Sequence, residues 1–158
     1  MLIYFAAPLF CIAEKAFNLQ LVEKLEEQDF TVFLPQRDGV ESSKPPYNEM
    51  TIDELRQNIF AADRDKVLEA DIFLFILDGR VPDEGACVEL GIAYGQKLLL
   101  QREKLLIGLH TDLRGALLGA RLNAMIFGTF DYITDNEKDL ISALEEYRHT
   151  RANGVEPA

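Results

Sequence analysis

The groups in this chain best placed to do chemistry are carboxylates. The densest run is Asp78-Gly79-Arg80-Val81-Pro82-Asp83-Glu84-Gly85-Ala86-Cys87-Val88-Glu89-Leu90-Gly91-Ile92-Ala93-Tyr94-Gly95, which follows an all-apolar stretch and turns into a helix. Gly85 and Glu89 are four apart and share one helical face. Glu89 is the sharpest candidate. Cys87, Val88, Leu90, Ile92 and Ala93 around it are small or apolar, so its carboxylate is expected in a partly dry place, where burial raises a carboxyl pKa. A surface glutamate on an amphipathic helix is the competing reading, and periodicity alone does not separate the two. Glycine inside a helix costs about 1 kcal/mol against alanine, so Gly85, Gly91 and Gly95 suggest close approach by a ligand or another backbone. Asp83, at the start of that helix, is a site group or simply an N-cap. Asp63 lies late in the preceding helix beside Arg64 and Asp65, and Tyr4 ends the first strand; an exposed face and a core tyrosine are their plainer readings. Asn123 and Met125 flank the expected last strand and read equally as turn and core residues.

Other chemistries lack their residues. There is no phosphate loop of the Gly-x-x-x-x-Gly-Lys-Ser/Thr type, no Gly-x-Gly-x-x-Gly after the first strand and no Gly-x-Ser-x-Gly elbow. His110 and His149 stand far apart without metal partners. Cys11 and Cys87 are too few for a disulfide framework and have no neighbour at zinc spacing. No metal and no cofactor is expected. Carboxylates acting as acid, base or nucleophile suit an acetal-like carbon.

The elements that must position these groups alternate along the chain. Residues 2–5 read as a strand that ends before Pro8, and 12–28 as a helix with Phe17, Leu21 and Leu25 on one face. Residues 30–34 form a second strand closed by Pro35. The turn-rich segment 36–46 is then the longest candidate loop, of a length often used as a lid. Thr51 with Glu54 fits a capping box, opening a helix to about Glu69. The run 72–77, IFLFIL, is apolar without alternation, as in a strand covered on both faces of a parallel sheet. A helix over 85–97, strands over 104–109 and 125–127 and a helix over 137–148 follow. The fold class is therefore α/β: a doubly wound, flavodoxin-like or Rossmann-like, mostly parallel five-stranded sheet with helices on both faces. Ligands of such sheets sit outside the carboxyl ends of the strands, which selects residues 4–10, 35–39, 78–89 and 109–114.

The 158 residues suit one domain, over 1–150, with 151–158 as a frayed tail. Apolar residues make up 48% and charged residues 27%, a globular mixture without a membrane-length apolar run. The start, Met1-Leu2-Ile3-Tyr4-Phe5, has no basic segment of a secretory signal, and a reducing cytoplasm is the expected compartment. With 27 acidic against 16 basic residues the net charge is −11. That field repels nucleic acid and favours a small neutral or cationic ligand.

On Ile3-Tyr4-Phe5-Ala6-Ala7-Pro8, on Asp63 with Ala70-Asp71-Ile72, on Pro82-Asp83-Glu84-Gly85-Ala86-Cys87-Val88-Glu89-Leu90-Gly91 and on Asn123-Ala124-Met125, the chain resembles the nucleoside 2-deoxyribosyltransferase family over about residues 2–130. The resemblance implies that Glu89 attacks the anomeric carbon of a 2'-deoxynucleoside, forming a deoxyribosyl ester that a second base resolves with retention. It implies that Asp83 holds sugar and base, that Asp63 exchanges the base proton and that Tyr4 positions Glu89. Asn123, with Met125, would come from a neighbouring subunit to the 5'-hydroxyl end, in a dimer-based homo-oligomer of up to six chains. Phe5, Ala6, Gln36, Asp38 and Gly85 are the further substrate contacts expected, with the 36–46 loop as cover. The partners are 2'-deoxynucleosides and free nucleobases, with no nucleic acid and no membrane. Ala6-Ala7-Pro8-Leu9-Phe10 departs from the glycine-bearing versions of its loop, leaving base specificity open. Two rivals stand beside this reading. One is a hydrolase of 2'-deoxynucleoside 5'-monophosphates, disfavoured by the two acids Asp83-Glu84 where a phosphate would sit. The other is a non-catalytic nucleotide-binding module of the same fold.

Overall fold

The computed structural model describes residues 1–112, 114 and 122–153. Five parallel strands form one sheet: β1 (Leu2–Ala6), β2 (Thr31–Phe33), β3 (Ile72–Ile76), β4 (Leu105–Leu109) and β5 (Tyr132–Thr134), in the order β2-β1-β3-β4-β5. All five residues of β3 and of β4 are buried, as a strand sheathed by helices on both faces requires. Helices α1 (Ile12–Glu27) and α6 (Glu137–Asn153) cover one face, where Leu21, Val22, Leu25, Leu140 and Leu144 meet Ile3, Phe5, Ile72 and Ile107. Helices α3 (Ile52–Glu69) and α4 (Glu84–Leu100) cover the other, where Val67, Ala86, Leu90 and Ala93 meet Tyr4, Phe73 and Phe75. Strand order reverses between β1 and β3. At that switch point the connections leave in opposite directions and open a crevice at the carboxyl edge.

Two local features fix α3 against α4. At its start, the Thr51 hydroxyl accepts the Glu54 N–H while the Glu54 carboxylate accepts the Thr51 N–H at 2.8 Å, the reciprocal box expected from the sequence. At its end, carbonyls that a helix leaves unpaired receive donors from elsewhere. Gln96 and Arg102 donate to the Leu68 carbonyl, Arg102 also to that of Glu69, and the buried Lys104 ammonium to that of Val67. Burial lowers the Lys104 pKa to about 8.

Three expectations are corrected. Residues 125–127 are not a strand but part of the short helix α5 (Ala124–Phe127), whose N-cap Asn123 accepts the Met125 N–H at 2.8 Å. The fifth strand lies seven residues later, because only there does the chain run back beside β4. Pro35 does not lead straight into a loop. Its ring suits the first position of a helix, and α2 (Pro35–Asp38) occupies the start of the expected loop. The last helix continues to Asn153 rather than Arg148; Leu113 and the tail from 154 lie outside the described residues. Among the described residues no helix is long and apolar enough to cross a membrane.

Candidate active site

Alternation along β1 sends Tyr4 and Ala6 to the α3/α4 face and Phe5 to the α1/α6 face. Tyr4 is fully buried, and its ring is stacked between Phe33 of β2 and Phe73 of β3, with centroids 5.7 and 5.6 Å away. Both are its register partners in the sheet. Among the described residues no group stands in direct hydrogen-bond geometry with its hydroxyl, and Glu89 is the acceptor within its reach. It faces two acids: burial first, then the charges of Glu89 and Asp63, push the phenol pKa far above its ordinary value.

Glu89 is half-buried on the second turn of α4. Burial pushes its carboxyl up to about 7, the Tyr4 hydroxyl pulls it down as a nearby donor, and the charges of Asp63 and Asp83 raise it again. Asp63, half-buried on α3, is raised by burial to about 6. The structure raises both, about one pH unit apart, so near neutrality the pair holds roughly one mobile proton and titrates as a unit. Asp83 is the N-cap of α4: its Oδ2 accepts the Ala86 N–H at 2.8 Å. It is thus both structural cap and charged neighbour of Glu89. A Cβ on the exposed Gly85 would meet that oxygen at 3.2 Å. Among the described residues no group of three or more His, Cys, Asp or Glu is arranged to hold a metal ion.

The structure therefore brings Tyr4, Asp63, Asp83 and Glu89 together. The other expected contacts lie differently. The Phe5 side chain is packed on the opposite face. Gln36 is tied to α1, accepting from Asn18 and donating to the Lys15 carbonyl. Asp38 accepts the Leu34 N–H and binds Arg37. Asn123 caps α5, and Met125 is 81% exposed. A cavity of about 410 Å³ opens at the same sheet edge but on the α1 side, between Phe17, Asn18, Asp78 and Asp112, away from the paired acids. Gly91 and Gly95 have open space where a side chain would be, so among the described residues nothing makes the close approach their presence suggested. Sequence reasoning missed Phe33 and Phe73, which read as ordinary strand residues; only the register across β1 shows them flanking Tyr4.

The family model for nucleoside 2-deoxyribosyltransferases matches residues 3–143. A search of curated proteins gives no match. Among solved structures the chain is similar to a conserved protein from Enterococcus faecalis V583, at 26% identity over 92% of this chain and 98% of that one, with a TM-score of 0.75. A 2-deoxyribosyltransferase from Bacillus psychrosaccharolyticus matches at 23% identity over 89% and 90%, TM-score 0.69. A CMP N-glycosidase from Clostridium botulinum matches at 20% over 92% and 99%, TM-score 0.55. At these last two identities the likeness is one of fold. With nearly the whole α/β domain matched by the family model, the chain belongs to the nucleoside 2-deoxyribosyltransferase family.

Proposed function

We propose that the protein transfers 2-deoxyribose from one nucleobase to another with retention, through an ester on Glu89. The observation that carries this reading is the pair of half-buried carboxyls, Glu89 and Asp63, raised to about 7 and about 6 beside the buried Tyr4 phenol. In the first half-reaction the Glu89 carboxylate bonds to C1' as the C1'–N bond breaks. The bonding pair leaves with the base, and Asp63 supplies the proton that neutralises it. In the second, a nitrogen of the incoming base attacks C1', the ester bond breaks, and the base proton returns to Asp63. Attack requires Glu89 ionised and Asp63 protonated, the opposite of their order of proton affinity in the free protein. A gap of about one pH unit makes that redistribution cost only about 1.4 kcal/mol. Positive charge developing on the sugar favours it, since an anion beneath the ring stabilises that charge.

Transfer also requires that water be kept from the ester. The single chain leaves apolar side chains uncovered near the α4 surface and on α5: Val88 is 58% exposed, Met125 81% and Phe127 63%. We assign Asn123 and Met125 to the site of a neighbouring copy, which covers this surface in a homo-oligomer. The test is a deoxynucleoside incubated with and without a second base. Acceptor-dependent formation of a new nucleoside supports transfer, and release of deoxyribose regardless of acceptor identifies a hydrolase. A 2-fluoro-deoxyribosyl analogue is expected to add one sugar mass to Glu89 and none to Glu89→Ala. Tight binding without an adduct or turnover would instead mark a non-catalytic module.

A further inference from the structure

We propose that Phe33 and Phe73 are positioning residues, two aromatic walls that hold the Tyr4 hydroxyl at the Glu89 carboxylate. A buried tyrosine is ordinarily oriented by the partner of its hydroxyl, but here no described residue stands in direct hydrogen-bond geometry with it, and Glu89 is the acceptor within its reach. What remains to orient the ring is its stack. Tyr4 pairs in register with Phe33 on one side and Phe73 on the other. The interplanar angles are 23° and 8° at 5.7 and 5.6 Å, so rotation of the phenol out of its plane meets a ring in either direction.

The walls are themselves backed. The Lys66 ammonium lies 5.9 Å from the centroid of Phe33, and Phe75 stands edge-on to Phe73 at 6.4 Å and 87°. The charged or titratable groups around the clamp are Lys66 and Asp63 from α3 and Glu89 and Asp83 from α4. A hydroxyl oriented by its ring rather than by its partner stays in place as Glu89 alternates between anion and ester, and it is there to donate whenever the carboxylate is charged. The catalytic consequence rests on Glu89 as the nucleophile; the clamp itself does not.

The test is a ¹³C titration of the Glu89 carboxyl, assigned with Glu89→Gln, in Tyr4→Phe, Phe33→Leu, Phe73→Leu and Phe33→Tyr. Loss of the donor raises the Glu89 midpoint, so Tyr4→Phe and both leucine variants are expected to shift it upward, with Phe33→Tyr restoring the wild-type midpoint. In a Tyr4→Phe background, Phe33→Leu should add no further shift. If Glu89 is the nucleophile, the leucine variants also lower kcat by on the order of tenfold to a hundredfold, with KM little changed. Phe33 is only half-buried, so its variants keep the test open if Phe73→Leu does not fold. An unmoved midpoint in folded Phe33→Leu, or the same shift with and without the Tyr4 hydroxyl, overturns the clamp. A moved midpoint in a protein without base exchange keeps the clamp and rejects the transferase reading.

Discussion

Replacing Glu89 by glutamine should make the protein more stable at pH 8 and leave its stability unchanged at pH 4. The sign follows from the direction of the shift. The Glu89 carboxyl is raised from an ordinary value of 4.5 to about 7 in the folded protein, chiefly by burial. The folded state thus binds this proton more tightly than the unfolded chain, and the stability it contributes is complete below about 4.5 and lost as pH rises through about 7. At 1.4 kcal/mol per pH unit the whole gap corresponds to roughly 3 kcal/mol; partial exposure reduces this to about 1–3 kcal/mol. Glutamine preserves the shape and an oxygen facing Tyr4 but has no charge to desolvate. Urea denaturation of both proteins from pH 4 to pH 8 measures the effect. The two stability curves should coincide at the acid end and separate between about pH 4.5 and 7, while base exchange is abolished. A glutamine variant less stable than wild type at pH 8, or a difference constant with pH, would show that the carboxylate is well solvated or paired and would remove the basis for its role.

At pH 5, where Glu89 carries no charge for it to stabilise, Tyr4→Phe removes a buried hydroxyl without a direct partner and should stabilise the fold by up to about 1 kcal/mol, a Tm rise of about 2–4 °C by calorimetry, while slowing transfer. Asp63→Asn should cut kcat by on the order of 10²–10⁴, measured by base exchange, and should erase from the rate profile the alkaline decline set by loss of the pair's last proton near pH 7. Thr51→Ala opens the capping box at the far end of α3 and should cost about 1 kcal/mol in denaturant titrations, with the Glu89 midpoint unchanged.

The sheet was legible because its central strand carries no alternation: five buried residues in a row leave only a strand covered on both sides. The carboxylates were legible because Glu89 sits among apolar neighbours on a helix that begins at a strand end. Residues 125–127 were misread because four apolar residues suit a short strand or a capped turn equally, and the Asn123 cap decides between them. Phe5 entered the expected site through the resemblance, but the period of two sends neighbouring side chains to opposite faces, and its side chain packs on the face away from Tyr4. The aromatic walls were not legible, since a pairing register between three strands distant in the chain is written in no local pattern.

The treatment of charge across the molecule bears on what the site is for. Elsewhere the protein pairs several of its carboxylates: Glu137 with Lys24, Glu26 with Arg37, Asp131 with Lys97, Asp112 with Arg114. Glu89 and Asp63, although more buried than several of these, form no ion pair among the described residues. No cation among the described residues contributes to the proton affinity of either. A site evolved around a phosphate would bring arginine or lysine beside these acids. Acids with no cation beside them are costly to ionise and remain partly protonated. That cost is offset only when positive charge arrives, and cleavage of an N-glycosidic bond places such charge on C1' and O4' of the sugar. Under the proposed transfer, the unpaired acids fit a substrate that is neutral when it binds and cationic as it reacts.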